Sequence, residues 1–154
     1  MIQERNGSLL DADADVICQQ VNCRNTMGAG LAKAIYTRWP SVKEAYHDFC
    51  REAGDPYVLL GSVQIVKPHG APFDVANIFG QLNYGRHSIC YTNYDALRAA
   101  FFDLNRRYDL DKVIAFPHGF GCGLAGGNWD TVYALIEKSF PGRTVLIYRN
   151  EAQQ

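Results

Sequence analysis

The stretch that most constrains this chain is Val21-Asn22-Cys23-Arg24-Asn25-Thr26-Met27-Gly28-Ala29-Gly30. It joins an apolar, β-branched run at 16–21 to a helix-forming run at 31–39. A strand, a glycine turn and a helix start leave several backbone N–H groups unpaired at the positive end of a helix dipole, where a phosphate group is stabilised. The pattern is not a full dinucleotide fingerprint, since Lys33 stands where a third glycine belongs, and no Gly-Lys-Ser/Thr phosphate loop occurs. A second stretch has the same build: a strand over 112–116, then Gly119, Gly121, Gly123, Gly126 and Gly127, then a helix from Asn128. Two such loops in one small α/β chain can converge on a single diphosphate.

At 154 residues the chain is expected to form one domain that buries roughly two-thirds of its unfolded surface. With 47% apolar and 20% charged residues it is an ordinary globular composition. A net charge of −1 provides no general nucleic-acid surface, and no apolar run reaches the roughly 20 residues that span a bilayer. The five cysteines include no C-x-x-C pair, and the four histidines have no metal-ligand spacing. These features predict a cytoplasmic monomer, not associated with membrane, whose chemistry needs no metal or other cofactor.

Taken in order, the chain opens with a strand within 2–10 that turns at Asn6-Gly7, and a polar connection over 11–15 leads to the strand at 16–21. A helix over 30–39 stops at Pro40. Ser41 is expected to cap a second helix to residue 53, with Glu44 completing a capping box and Val42, Ala45, Tyr46 and Phe49 forming its apolar stripe. Gly54-Asp55-Pro56 breaks that helix. Strands follow at 62–66 and 73–79, then a polar loop over 80–92, a helix over 93–108, the strand at 112–116, a helix over 128–140 and a last strand at 144–148; residues 150–154 are expected to fray. This alternation predicts a three-layer α/β/α sandwich around a mixed, mostly parallel sheet, with ligands bound outside the carboxyl ends of the strands.

Several pieces resemble the macrodomain family of ADP-ribose-binding modules. They are Gly7-x-Leu9-Leu10, Val21-Asn22-Cys23 with Met27-Gly28-x-Gly30-x-Ala32, Asn77-Ile78-Phe79-Gly80-Gln81, and Gly121-Cys122-Gly123-Leu124 before Trp129. In order and spacing they cover essentially the whole chain. The nearest subgroup contains ADP-ribose-1″-phosphate phosphatases and ADP-ribosyl glycohydrolases. The resemblance implies that the first glycine loop wraps the distal ribose and the second the diphosphate. Ligand contacts are then expected from Ser8, Leu9, Asn22, Met27, Gly28, Ala29, Gly30, Leu31, Gln81, Arg86, Gly119, Phe120, Gly121, Cys122, Gly123, Leu124 and Tyr148, with Asn22 and His118 as catalytic candidates. The partner is ADP-ribose or an ADP-ribosylated macromolecule, and the implied activity is hydrolysis at the distal ribose of ADP-ribose-1″-phosphate or of mono-ADP-ribosyl groups on protein or nucleic acid. A non-catalytic ADP-ribose reader and a binder of another nucleotide are the alternatives.

The chain also departs from the hydrolytic members. Some DNA and acyl-ester glycohydrolases carry a lysine just after the strand that here ends Ile78-Phe79, and an acidic residue directly after the Gly-Cys-Gly-Leu loop. Those places hold Gly80-Gln81 and Ala125, which argues against a lysine Schiff-base route. Ser8 stands where an aspartate often holds the adenine amino group. Each candidate has a plain structural reading beside the functional one. Asn22 can orient the distal ribose or tie down its own loop. His118 can face the distal ribose or phosphate, or satisfy a carbonyl; Phe120 can cover the ribose or diphosphate and Tyr148 stack on adenine, or both can be core. Arg86 can meet a terminal phosphate or lie solvated, and His87 can act in acid–base chemistry or be a surface residue. Cys23 and Cys122 read as inert thiols, Trp129 as a helix-start anchor, and Asp11, Asp13 and Asp15 as a solvated turn.

Overall fold

The computed structural model describes residues 1–150; the expected frayed tail lies, beyond Asn150, outside the described residues. Its centre is a six-stranded sheet built from β1 (Ile2–Asn6), β2 (Val16–Asn22), β3 (Val63–Val66), β4 (Asp74–Gln81), β5 (Ile114–Pro117) and β6 (Val145–Arg149), in the order β1-β6-β5-β2-β4-β3. All pairs are parallel except β3 against β4, so the sheet is mixed and mostly parallel as expected. The helices are α1 (Gly30–Arg38), α2 (Ser41–Ala53), the one-turn α3 (Pro56–Leu59), α4 (Tyr94–Arg106) and α5 (Trp129–Ser139). None of the helices among the described residues is long and apolar enough to cross a membrane.

Alternation along the buried strands sends side chains to both faces. Val16, Cys18, Ala76, Ile78, Ile114, Phe116, Val145 and Ile147 pack with Leu97, Ala100, Phe101 and Leu104 of α4 and Val132 and Ile136 of α5. On the other face Ile17, Val75, Ala115 and Leu146 meet Ile35 and Trp39 beside α1 and Val42 of α2, while Val21 and Phe79 meet Tyr46 and Cys50. That face also carries a ladder of amides: Gln19 Nε2 donates to Asn77 Oδ1 (2.7 Å), and Asn77 Nδ2 to Gln64 Oε1 (3.0 Å). Asn77 therefore stitches three strands together.

The sheet is not closed at its middle. β2 pairs with β5 only at Val16↔Ile114 and Ile17↔Ala115. Beyond that point β2 follows β4 as far as Asn22↔Gln81, and β5 follows β6 as far as Pro117↔Tyr148. The strands thus part toward their carboxyl ends where the strand order reverses, which opens a crevice at the top of the sheet.

Local chemistry explains where the boundaries differ from the expected ones. The first strand ends at Asn6, because Ser8 Oγ accepts the Leu10 N–H and turns Leu9–Asp11 into a 3₁₀ helix. Ser41 caps nothing, and no capping box with Glu44 forms. Pro40 occupies the N-cap position with φ −56° and ψ −28°, already helical, so Ser41 falls inside the first turn. Asp55 caps the short α3 where only a break was expected. The polar connection at 11–15 has specific partners: Asp15 Oδ2 accepts the Val113 N–H at 2.8 Å, and Asp11 pairs with Arg38.

Candidate functional site

Both glycine loops leave the parted strand ends. In the first, Asn22 ends β2 and its amide turns back on the chain. Its Oδ1 accepts the Arg24 N–H (2.9 Å) and lies 3.0 Å from the Tyr46 hydroxyl; its Nδ2 donates to Thr26 O (2.8 Å). The fully buried Tyr46 hydroxyl lies 2.8 Å from Asn22 O and accepts the Thr26 N–H at 3.2 Å. Burial pushes the Tyr46 phenol far above its ordinary pKa, so it stays protonated. His47 Nδ1 lies 2.5 Å from the side-chain oxygen of Asn25, which sits at φ +58°, a conformation asparagine tolerates. These contacts leave the N–H groups of residues 28–32 without a partner among the described residues, and no side chain caps α1.

The second loop has the same economy. Gly121 O accepts the Thr92 hydroxyl (2.6 Å) and the Gly127 N–H (2.9 Å), and Ala125 O accepts the N–H groups of Tyr91 (2.7 Å) and Thr92 (3.1 Å). The N–H groups of Gly121, Gly123, Leu124 and Ala125 have no partner among the described residues. Two arrays of free donors therefore stand on neighbouring strand ends, an arrangement that receives an anion without any lysine. The glycines separate into two kinds. A Cβ on Gly126 or Gly127 would meet Ile89 O at 2.4 Å or Gly121 O at 2.6 Å, so the fold itself demands glycine there. Gly28 and Gly123 have no left-handed φ and nothing within 4 Å of a Cβ, so the space beside them is free for a ligand.

Of the candidates, Gly28, Ala29, Gly30, Gly123 and Leu124 are exposed at the crevice loops, with Leu31, Gly119, Gly121 and Cys122 half-buried beside them. Other candidate side chains are engaged within the protein. Phe120 is 2% exposed and packs edge-on to Phe116 at 5.3 Å, in the core rather than over a ribose. Met27 and Leu9 are likewise core residues, beside Tyr46 and Trp39 respectively, leaving only their backbone to a ligand. The Tyr148 hydroxyl accepts the Asp13 N–H at 3.0 Å while its ring packs on the α1-side core. Ser8 is taken up as a cap. Gln81 Oε1 accepts Gln20 Nε2 (2.8 Å) and its Nε2 donates to Asn83 O (2.8 Å).

His118 is engaged by two neighbours. Its ring lies 4.9 Å from that of Trp129, and its Nε2 is 3.1 Å from Arg149 Nη2. A guanidinium only donates, so Nε2 accepts and the imidazole is neutral with its proton on Nδ1. Burial and then the Arg149 charge push the His118 pKa below its ordinary value. Burial raises the Cys23 and Cys122 thiols to about 11 each, which keeps them inert. Arg86 is exposed and, among the described residues, forms no hydrogen bond or ion pair. With His87, Ile89, Gly123 and Leu124 it lines a cavity of about 380 Å³ that adjoins the second loop. Sequence reasoning missed Tyr46 as the anchor of the first loop, reading it as one more residue of an apolar stripe; it also missed Gln20 and Thr92 beneath the second.

A mostly parallel sheet that parts at its switch point between two N–H-lined glycine loops is an α/β architecture able to receive a phosphorylated ligand. No protein-family profile matches the chain. It is 27% identical over 163 aligned positions, 96% of its own length, to a DNA ADP-ribosyl glycohydrolase of Mycobacterium tuberculosis, and it spans 42% of that relative. An ADP-ribose 1″-phosphate phosphatase of Debaryomyces hansenii is 35% identical over 52 residues, 33% of this chain and 29% of the relative. Among solved structures, the macrodomain of Mycobacterium tuberculosis DarG superposes with a TM-score of 0.79 at 25% identity, covering 96% of this chain and 97% of that one. The chain has the macrodomain fold and is similar in sequence to macrodomains of known structure.

Proposed function

We propose that this macrodomain binds ADP-ribose and hydrolyses a bond at the distal ribose C1″, in ADP-ribose-1″-phosphate or in mono-ADP-ribosyl groups on protein or nucleic acid. The observation that carries the reading is the pair of free N–H arrays on the parted ends of β2 and β5. They suit a diphosphate in charge and donor character, and a dipole-rich, preorganised site of this kind also stabilises charge as it develops. The names of the two curated relatives support the choice of ligand and of bond.

In this reading the loop donors grip the diphosphate and Gly28 and Gly123 let it approach. A water held between the loops attacks C1″, the bond from C1″ to the leaving group breaks, and that group departs with the water's proton. The substrate's own diphosphate assists in removing that proton. Asn22 shapes the first loop and retains one Nδ2 hydrogen for a ribose hydroxyl; orientation supplies much of the rate. Arg86, the uncommitted cation at the adjoining cavity, lies available to an anionic group on C1″.

A second reading, an ADP-ribose reader without turnover, is favoured by one observation: His118 is held neutral by Arg149, and Gln81 and Ala125 offer no acid or base. The experiment is to incubate the chain with ADP-ribose-1″-phosphate and with mono-ADP-ribosylated protein and DNA, beside a Gly123→Val variant. Turnover of at least one substrate, lost in the variant with an unchanged melting temperature, is the expected result. ADP-ribose that raises the melting temperature without turnover selects the reader, and a rise with another nucleotide alone overturns both.

A further inference from the structure

Glycines let the second loop come close to a diphosphate, and they equally let a peptide unit flip and present a carbonyl to it. Something must set the direction. Beneath the loop, on the α4 side of the sheet, lies a chain of directed hydrogen bonds. Gln81 Nε2 donates to Asn83 O (2.8 Å), which turns Gln81 Oε1 toward Gln20. Gln20 Nε2 then donates both to Gln81 Oε1 (2.8 Å) and to Thr92 Oγ1 (2.9 Å). The Thr92 hydroxyl has one proton, and because it already accepts from Gln20 that proton goes to Gly121 O, at 2.6 Å.

Two further observations show that this arrangement is imposed. Gln20 Oε1 is buried and has no hydrogen-bond partner among the described residues, an unfavourable state for a carbonyl that persists only where other contacts dictate the amide's direction. The amide is also seated by glycines: a Cβ at Gly80 would lie 2.5 Å from Gln20 Oε1, and one at Gly121 2.9 Å from it. Position 80 is thus glycine because the Gln20 amide, together with the Leu97 side chain, fills the space a Cβ would take. Thr92 itself is 5% exposed and could not exchange its partners for water.

We propose that Gln20 and Thr92 are positioning residues that preset the second glycine loop for the diphosphate, by holding the Gly121 carbonyl behind the loop so that the free N–H groups form its ligand face. The proposal rests on the ADP-ribose reading for the identity of the anion, while the presetting is a property of the chain without ligand. Thr92→Val and Gln20→Met keep size and remove the directed bonds; Thr92→Ser keeps them. Two measurements are made on each: amide hydrogen exchange of Gly127 and Cys122, whose N–H groups are bonded within the loop, and affinity for ADP-ribose against AMP, which lacks the second phosphate.

The expected result is at least about tenfold faster exchange at those amides and about tenfold weaker ADP-ribose binding in Thr92→Val and Gln20→Met, with AMP affinity unchanged and Thr92→Ser resembling the parent chain. Exchange and ADP-ribose affinity both equal to the parent's overturn it. So does an equal loss for ADP-ribose and AMP alongside a fallen melting temperature, the mark of general destabilisation. A parent chain that binds neither ligand counts against the ADP-ribose reading alone, and the exchange arm then decides the presetting by itself.

Discussion

His118 shows how burial and one contact together settle the state of a titratable residue. Its Nε2 accepts from Arg149, and burial adds to the Arg149 charge in disfavouring the imidazolium. The folded pKa therefore lies below the ordinary value of 6.5, and the unfolded chain binds more protons as the solution is acidified. The stabilisation from the neutral ring is complete above pH 6.5 and is lost as pH falls through that value toward the folded pKa. His47 is shifted in the same direction, by burial first and then by Lys43 and Arg51. Stability measured by urea unfolding should thus decline between pH 7 and pH 5. His118→Gln, which retains an acceptor for Arg149 and does not titrate, should make that decline shallower; an unchanged slope would exclude the His118 contribution.

At the scale of elements, the helices that back the site start from asparagine caps. Asn93 Oδ1 accepts the Ala96 N–H (2.9 Å) and Asn128 Oδ1 the Thr131 N–H (3.1 Å), each satisfying one orphan donor of a first turn. Asn93→Ala should cost about 1 kcal/mol of unfolding free energy. It should leave α4 formed, since Leu97, Phe101 and Leu104 are fully buried. A lower denaturation midpoint with unchanged far-ultraviolet dichroism is the check. α1 differs in kind: it has no side-chain cap, and Ile35 is its one fully buried side chain among the described residues. Its uncapped start is the feature that the proposed ligand completes.

Across the whole molecule, Arg143 joins pieces that the sheet alone does not. At 2% exposure it donates to Asn105 Oδ1 and O, Tyr108 O, Asp109 O and Lys112 O, at 2.7–2.9 Å, and its own carbonyl accepts from the Met1 amino group. A guanidinium thereby serves the carbonyl end of α4, the approach to β5 and the turn into β6 together, in a place suited to positive charge. Arg143→Met should leave several part-buried carbonyls without their donor and lower stability by about 3 kcal/mol. Arg143→Lys should recover a minority of that, because an ammonium lacks the planar fork. Urea midpoints of the three proteins test the order.

Residues 16–39 and 112–140 announced their strand–glycine–helix units directly, and the parallel sheet and the N–H-lined loops follow from them. Backbone donors are presented by chain geometry, whatever the neighbouring side chains are, so the loops of the candidate site were legible from the sequence. The directions of Asn22, Met27, Phe120 and His118 were not. For Asn22 and His118 the direction is set by a partner that folding brings close: Tyr46, on the helix packed over β2, reaches Asn22 across 24 positions, and Arg149, on the neighbouring strand, reaches His118 across 31. The Gln20–Thr92 contact spans 72 positions. Sequence by itself determined the loops and their charge preference; tertiary structure decided which side chains hold them, because hydrogen-bond direction at a buried site depends on neighbours that only folding assembles.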